Sequence, residues 1–133
     1  MLKCSTISLI FLVFITLGVN ESLAQEEEYN ELAKIIKSGN AKELVNHFSN
    51  SVDLNINGEQ SNYGKSQAEA ILKDFFNNSE PVSFIVNHKG ASKSGRSYAI
   101  GEYKNKLGVY RVWIRLVDEN GQSRVSEISF IKE

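Results

Sequence analysis

The spacing of apolar residues changes at Pro81, and this change constrains the fold more than any other feature. Before it, apolar residues recur mainly at helical spacing. After it, they alternate with polar residues in four segments separated by glycine-bearing turns: 82–88, 97–103, 109–117 and 123–131. Helices followed by consecutive strands predict an α+β fold, in which the N-terminal helices pack on one face of an antiparallel sheet.

Two short helices are predicted at the start of this arrangement. The first carries its apolar residues on one face and ends at Gly39, because glycine readily adopts the left-handed conformation that terminates helices. Asn40 then caps a second helix over 41–48. The pair resembles a helical hairpin packed on something larger, which we expect to be the sheet.

A strand, a turn and a third helix are predicted next. Alternating apolar residues over 52–56 indicate a strand, and Asn57-Gly58 is a typical tight-turn dipeptide. The segment 58–66 connects this turn to the third helix, with Ser66 as the capping residue. It resembles a nucleotide-binding P-loop, but five residues separate its glycines where that motif has four. We therefore interpret it as structural.

The N-terminus has the pattern of a secretory signal peptide over residues 1–24. Lys3 precedes an apolar run over 7–19, and small residues lead to a cleavage site between Ala24 and Gln25. The run is shorter than the roughly 20 residues that cross a bilayer, and no second such run follows. We predict an exported, soluble protein, periplasmic or extracellular, with no transmembrane segment in its mature form.

Processing would leave a flexible acidic start over 25–28 and one domain over 29–133. The single cysteine, Cys4, precedes the apolar run instead of following it, so a lipoprotein anchor is not expected. The mature chain can form no disulfide. Its net charge of −1 gives no overall attraction for phosphate backbones, which argues against a nucleic-acid partner.

Five stretches of the chain resemble the bacterial domain of unknown function family 4783. They are 63–69, 71–76, 88–92, 97–101 and 110–112. The resemblance implies a nuclear transport factor 2-like fold, also called cystatin-like, with a curved cone of sheet around helices and often a cavity between them. The resemblance carries no established activity and no established functional residues.

Metal and acid–base sites find little support in the residue types present. His47 and His88 are the two histidines of the chain, and neither has the spacing of a metal-binding motif, so we expect no metal or other cofactor. The carboxylates that could serve a pocket, Asp53, Asp74 and Asp118, all have the pattern of surface residues. No catalytic residue is predicted.

The two faces of the predicted sheet are candidates for binding. Every second residue of the segment 110–116, starting at Tyr110, should face the helices. Between these residues and the helices there could be either a filled core or an apolar ligand pocket with hydroxyls from Tyr63, Tyr98 and Tyr110. The opposite face carries a row of aromatic and basic residues that is typical of interfaces, formed by Tyr103, Arg111, Trp113 and Arg115. The leading hypothesis is a non-catalytic module that binds an envelope protein or forms a homodimer through this row. A small-molecule binder or enzyme is the alternative.

Overall fold

The computed structural model describes residues 25–91 and 96–133. The predicted signal peptide, its cleavage site and Cys4 at 1–24 lie outside the described residues, except for Gln25. Three helices and six strands follow in order: α1 (25–38), α2 (Ala41–Val45), β1 (Phe48–Ile56), β2 (Glu59–Gly64), α3 (Lys65–Asn78), β3 (Ser83–Ala91), β4 (Arg96–Asn105), β5 (Gly108–Glu119) and β6 (Gln122–Lys132).

The strands form one sheet in the order β2-β1-β6-β5-β4-β3, with the helices on one face. Strands β3 to β6 make the predicted antiparallel meander, and the α+β prediction is confirmed. The β1–β2 hairpin joins the free edge of β6, where β1 runs parallel to β6. This parallel pair was not predicted, because alternation within each strand carries no information on which distant strand lies beside it.

The two N-terminal helices agree with the sequence at their junction. Gly39 has a φ of +69°, and the Asn40 side chain accepts a hydrogen bond from the Glu43 amide at 3.1 Å. The second helix stops at Val45 and not at 48, because Phe48 already belongs to β1 and is fully buried. Helix α2 is therefore little more than one turn.

The acidic residues 25–28, which we predict to be a flexible start of the mature chain, form the first turn of α1. The Glu28 carboxylate lies 2.7 Å from His47 Nδ1, and the Glu26 carboxylate lies 2.9 Å from Lys89 Nζ. These contacts join α1 to the turn after α2 and to β3.

The segment after the Asn57-Gly58 turn is a strand and not a connecting loop. Both turn residues have positive φ, as a tight hairpin turn requires, and 59–64 pair with β1 along their whole length. The chain passes directly from β2 into α3, so Gly64 occupies the cap position and makes no side-chain hydrogen bond. The prediction that Ser66 caps this helix was wrong, because Ser66 lies inside its first turn.

Aromatic rings fill the centre of the space between α3 and the sheet. Phe75 lies 5.0 to 5.8 Å, centroid to centroid, from Tyr103, Tyr110 and Phe130, and Phe76 packs beside them. The inward residues of β5 between 110 and 116 are buried as predicted. Within the described ranges, no helix is long and apolar enough to span a membrane.

Candidate functional site

A cross-strand ladder of contacting side chains occupies the sheet face that the helices leave uncovered, which we call the open face. The Tyr98 and Trp113 rings stack with centroids 4.9 Å apart and planes 11° from parallel. The Arg115 guanidinium carbon lies 5.9 Å from the Trp113 ring, and its Nη1 lies 3.4 Å from the Glu127 carboxylate. The four residues, here called the aromatic ladder, connect β4, β5 and β6.

The ladder is positioned by strand register and by one glycine. Tyr98 on β4 pairs with Gly90 on β3 and, on its other side, with Arg115 on β5. A β-carbon at position 90 would overlap the Tyr98 ring, so the ring lies over the bare backbone of Gly90. Tyr98 is thereby held against Trp113, which is diagonal to it on the next strand.

Apolar and charged side chains surround the aromatic ladder on the open face. Ile85, Glu102, Arg111 and Ile131 pair in one row across β3, β4, β5 and β6. Ile85 is 61% exposed and Ile131 is 39% exposed, while Tyr98 is 38% exposed. Since large apolar side chains exposed on adjacent strands tend to mark contact surfaces, the open face is the stronger candidate for binding a macromolecule.

Two predicted placements of tyrosines were wrong. Tyr98, expected to line an inner pocket, lies on the open face, and Tyr103, expected on the open face, is fully buried in the core. Strand β4 has apolar residues at both odd and even positions, so its period-two pattern does not reveal which set faces inward. Gly101, which faces the Phe84 ring, is the residue that permits the observed orientation.

One flank of the open face is acidic. A polar cleft of about 630 Å³ lies where β1 meets the β5–β6 turn, and its lining includes Asp53, Asp118 and Glu119 but no lysine, arginine or histidine. Ser49 Oγ donates to Glu119 at 2.7 Å, and Asn62 Nδ2 donates to Asp53 at 2.9 Å. Asp53 and Asp118 are exposed, as predicted, and so is Asp74.

The three tyrosines assigned to an inner pocket are not brought together. Tyr110 lines a cleft of about 290 Å³ between the end of α3 and the β4–β5 turn. Tyr63 is half-buried on β2 and packs against the core, and Tyr98 lies on the other face. The inward-facing tyrosine that the sequence analysis placed on the wrong face is Tyr103, whose fully buried hydroxyl forms no hydrogen bond of standard geometry with the described residues.

The environment of Tyr103 makes its phenol a very weak acid. Burial, opposed in part by the adjacent Asn105 side chain, raises the pKa of Tyr103 to about 12. A phenol with this pKa keeps its proton at neutral pH, so it can donate a hydrogen bond but cannot act as a base.

A second buried tyrosine joins α1 to the sheet. The Tyr29 hydroxyl lies 2.8 Å from Ser97 Oγ, and Lys89 Nζ lies 6.0 Å from the centre of the Tyr29 ring. Burial raises the pKa of Tyr29, which opposes formation of the phenolate that base catalysis would need. We interpret this serine–tyrosine–lysine group as a structural contact.

Within residues 25–91 and 96–133, no group of three or more histidine, cysteine, aspartate or glutamate side chains could hold a metal ion.

The six-stranded sheet, with helices on one face and the ladder on the other, defines an α+β domain of the nuclear transport factor 2-like, cystatin-like class. A solved protein named Rd1NTF2_05 matches at 15% identity, over 83% of this chain and 98% of that chain, with a TM-score of 0.66. A cystatin-like domain of unknown function from Nostoc punctiforme matches at 8% identity, over 86% of this chain and 76% of that chain, with a TM-score of 0.65.

The family is shown by sequence as well as by structure. The family model "Domain of unknown function (DUF4783)" matches residues 29–130, and the chain belongs to this family. A solved DUF4783 protein from Bacteroides ovatus is 27% identical, covering 77% of this chain and 92% of that chain, with a TM-score of 0.72. The search of curated proteins found no match.

Proposed function

We propose that the protein is an exported, non-catalytic module that self-associates through its open face, with a second copy of the chain as the partner. The observation that carries this proposal is the aromatic ladder, in which Tyr98 and Trp113 are stacked and held in place while remaining accessible. Ordered aromatic and arginine side chains are the residue types that most often dominate binding energy at interfaces.

The charges around the ladder favour a second copy as the partner. Arg111 and Arg115 lie on β5, whereas Asp53 on β1 and Glu119 at the end of β5 line the acidic flank. A two-fold interface brings the same patch together from both subunits, so a uniformly charged patch repels its copy. A patch with both signs offers each charge an opposite partner on the second copy.

Sedimentation equilibrium of the purified protein and its Trp113→Glu variant tests this proposal. We expect a dimer for the parent and a monomer for the variant, with unchanged far-ultraviolet circular dichroism, because the glutamate removes the ring and adds buried charge. Leu107→Glu is the matched control, since Leu107 is 56% exposed but lies on the β4–β5 turn. A monomeric parent, or equal dimerisation by all three proteins, would overturn the proposal.

A further inference from the structure

Two asparagine–glycine dipeptides form hairpin turns in the sheet, and their surroundings differ. Asn57-Gly58 connects β1 to β2, and Asn120-Gly121 connects β5 to β6. Both asparagines have a φ of +54°, both glycines also have positive φ, and all four residues are exposed. An asparagine followed by glycine can convert to aspartate or isoaspartate without an enzyme, because glycine has no side chain to obstruct ring closure. The two turns therefore carry the same potential chemistry.

The reaction joins two groups of one dipeptide. The glycine backbone nitrogen loses its proton to a base and forms a bond to Cγ of the asparagine, the Cγ–Nδ2 bond breaks, and the side-chain nitrogen leaves as ammonia. Water then opens the five-membered succinimide ring at either of its two carbonyl carbons, which gives aspartate or isoaspartate. The reaction thus needs a glycine amide that can lose its proton and an asparagine side chain that can rotate onto it.

Both reacting groups are held at Asn57. The Gly58 amide donates a hydrogen bond to Asn55 Oδ1 at 2.9 Å, and Asn57 Oδ1 accepts one from the Lys132 amide at 2.9 Å. The Asn57 amide also donates to the Phe130 carbonyl at 2.9 Å, which attaches the turn to β6. A hydrogen-bonded amide loses its proton only after its bond opens, so ring closure at Asn57 requires a local opening of this turn.

The second dipeptide lacks these bonds. Neither the Asn120 side chain nor the Gly121 amide forms a hydrogen bond with residues 25–91 or 96–133. Asn120 lines the polar cleft of about 630 Å³, so its side chain is accessible to water. A β-carbon at Gly58 or at Gly121 would meet open space, so crowding does not distinguish the two turns. Hydrogen bonding does.

We infer that Asn120 is a site of spontaneous deamidation in the folded protein, whereas Asn57 is protected. The product adds a carboxylate to the cleft that Asp53, Asp118 and Glu119 already line. Where isoaspartate forms, the backbone of the turn also becomes longer by one carbon. The acidic flank therefore becomes more negative as the protein ages, and it attracts cations more strongly.

Peptide mapping by mass spectrometry during incubation at mildly alkaline pH tests this inference, because each conversion raises a peptide's mass by about one dalton. The rate at each dipeptide is measured in the folded protein and in urea, so that the effect of the flanking residues is removed. We expect similar rates in urea. In the folded protein Asn120 should react about tenfold faster than Asn57, since each hydrogen bond that must open slows the reaction by roughly two- to tenfold.

Two results would overturn the inference. The first is an equal slowing of both dipeptides by folding, which would show that the hydrogen bonds at Asn57 protect nothing. The second is a folded protein in which Asn120 does not react while the unfolded chain does.

Two variants of Asn55 assign the protection to its hydrogen bond with the Gly58 amide. Asn55→Ala removes the acceptor, so Asn57 should react about two- to tenfold faster while the rate at Asn120 stays the same. Asn55→Asp is the matched control, because its carboxylate can still accept from the amide, and Asn57 should stay slow. Far-ultraviolet circular dichroism verifies that both variants fold. An unchanged rate at Asn57 in Asn55→Ala, or an equal increase in both variants, would contradict this assignment.

Anion-exchange chromatography of aged protein follows the added charge. The parent should develop a more acidic species with time. Asn120→Gln should not develop it at a comparable rate, because a glutamine would have to close a six-membered ring. If the acidic species forms equally fast in Asn120→Gln, the modified residue is not Asn120.

Discussion

The ring of Tyr98 lies directly over the backbone of Gly90 on the neighbouring strand, in space that any β-carbon at position 90 would occupy. The same ring stacks on Trp113 on its other side. A glycine on β3 thus determines where the aromatic ladder stands on the open face.

Gly90→Ala should displace Tyr98 and disrupt its stacking on Trp113. The overlap should cost about 1–3 kcal/mol of unfolding free energy, as overpacking usually does. Near-ultraviolet circular dichroism and chemical denaturation report the two effects. In the double variant Gly90→Ala/Tyr98→Ala the alanine meets no ring, so most of the stability loss should be recovered relative to Tyr98→Ala alone. Additive losses would show that the Gly90–Tyr98 contact is not responsible.

Arg115→Ala should weaken self-association far more than it weakens the fold. Arg115 contacts Trp113 and Glu127 on an accessible surface, so its removal should change the unfolding free energy by less than about 1 kcal/mol. As an arginine at the centre of the proposed interface, it should contribute about 1–2 kcal/mol to dimerisation, or roughly a tenfold change in dissociation constant. Lys73→Ala is the control, because Lys73 is an exposed cation on α3, on the other side of the sheet. Similar dissociation constants for both variants would contradict this role of Arg115.

Protein stability should fall between about pH 10 and pH 12, in part because of Tyr103. Its pKa is raised from 10.0 to about 12 in the folded state, chiefly by burial. Below pH 10 both states keep the proton; above it the unfolded state loses the proton first, which favours unfolding. At pH 11 this effect is about 1 kcal/mol relative to pH 8. Tyr103→Phe should lose less stability over this interval in urea denaturation. Parallel pH curves for the two proteins would contradict the assignment.

Export should remove residues 1–24 and leave Gln25 as the first residue. Small residues before the cleavage site fit the peptidase that removes signal peptides, and Ala24 is the residue directly before it. Intact-mass measurement of protein recovered from the periplasm of a bacterial host checks the position of cleavage. Ala24→Arg should leave the precursor unprocessed in the same experiment, whereas a mature form that begins elsewhere would show that the site is wrong.

Much of the local structure could be predicted from short stretches of sequence. Gly39, Asn40 and the Asn57-Gly58 turn behave as their residue types require, and the inward face of β5 follows its alternation. Each of these features depends on neighbours in the chain. Strand β2 could not be recognised, because its six residues are almost all polar and its structure depends on pairing with β1.

The candidate sites depended on tertiary structure to a greater degree. Trp113 and Arg115 were recognisable in sequence because they share one face of one strand. Their partner Tyr98 was assigned to the wrong face, since β4 carries apolar residues on both faces. In the structure, Gly101 leaves room for the Phe84 ring and Gly90 leaves room for the Tyr98 ring. The cleft lined by Tyr110 combines residues from α3, the β1–β2 hairpin and the β4–β5 turn, which no local pattern connects.

The sequence by itself determined the α+β class, the positions of most helices and strands and the shared face of Arg111, Trp113 and Arg115 on β5, because these are encoded in residue type and short-range periodicity. The family followed from the resemblance of five stretches of the chain. Tertiary structure alone decided the parallel β1–β6 pair, the face on which each tyrosine lies and the burial of the Tyr103 hydroxyl. Those features depend on which distant residues pack together, and a close-packed core depends on the shapes of all its side chains together.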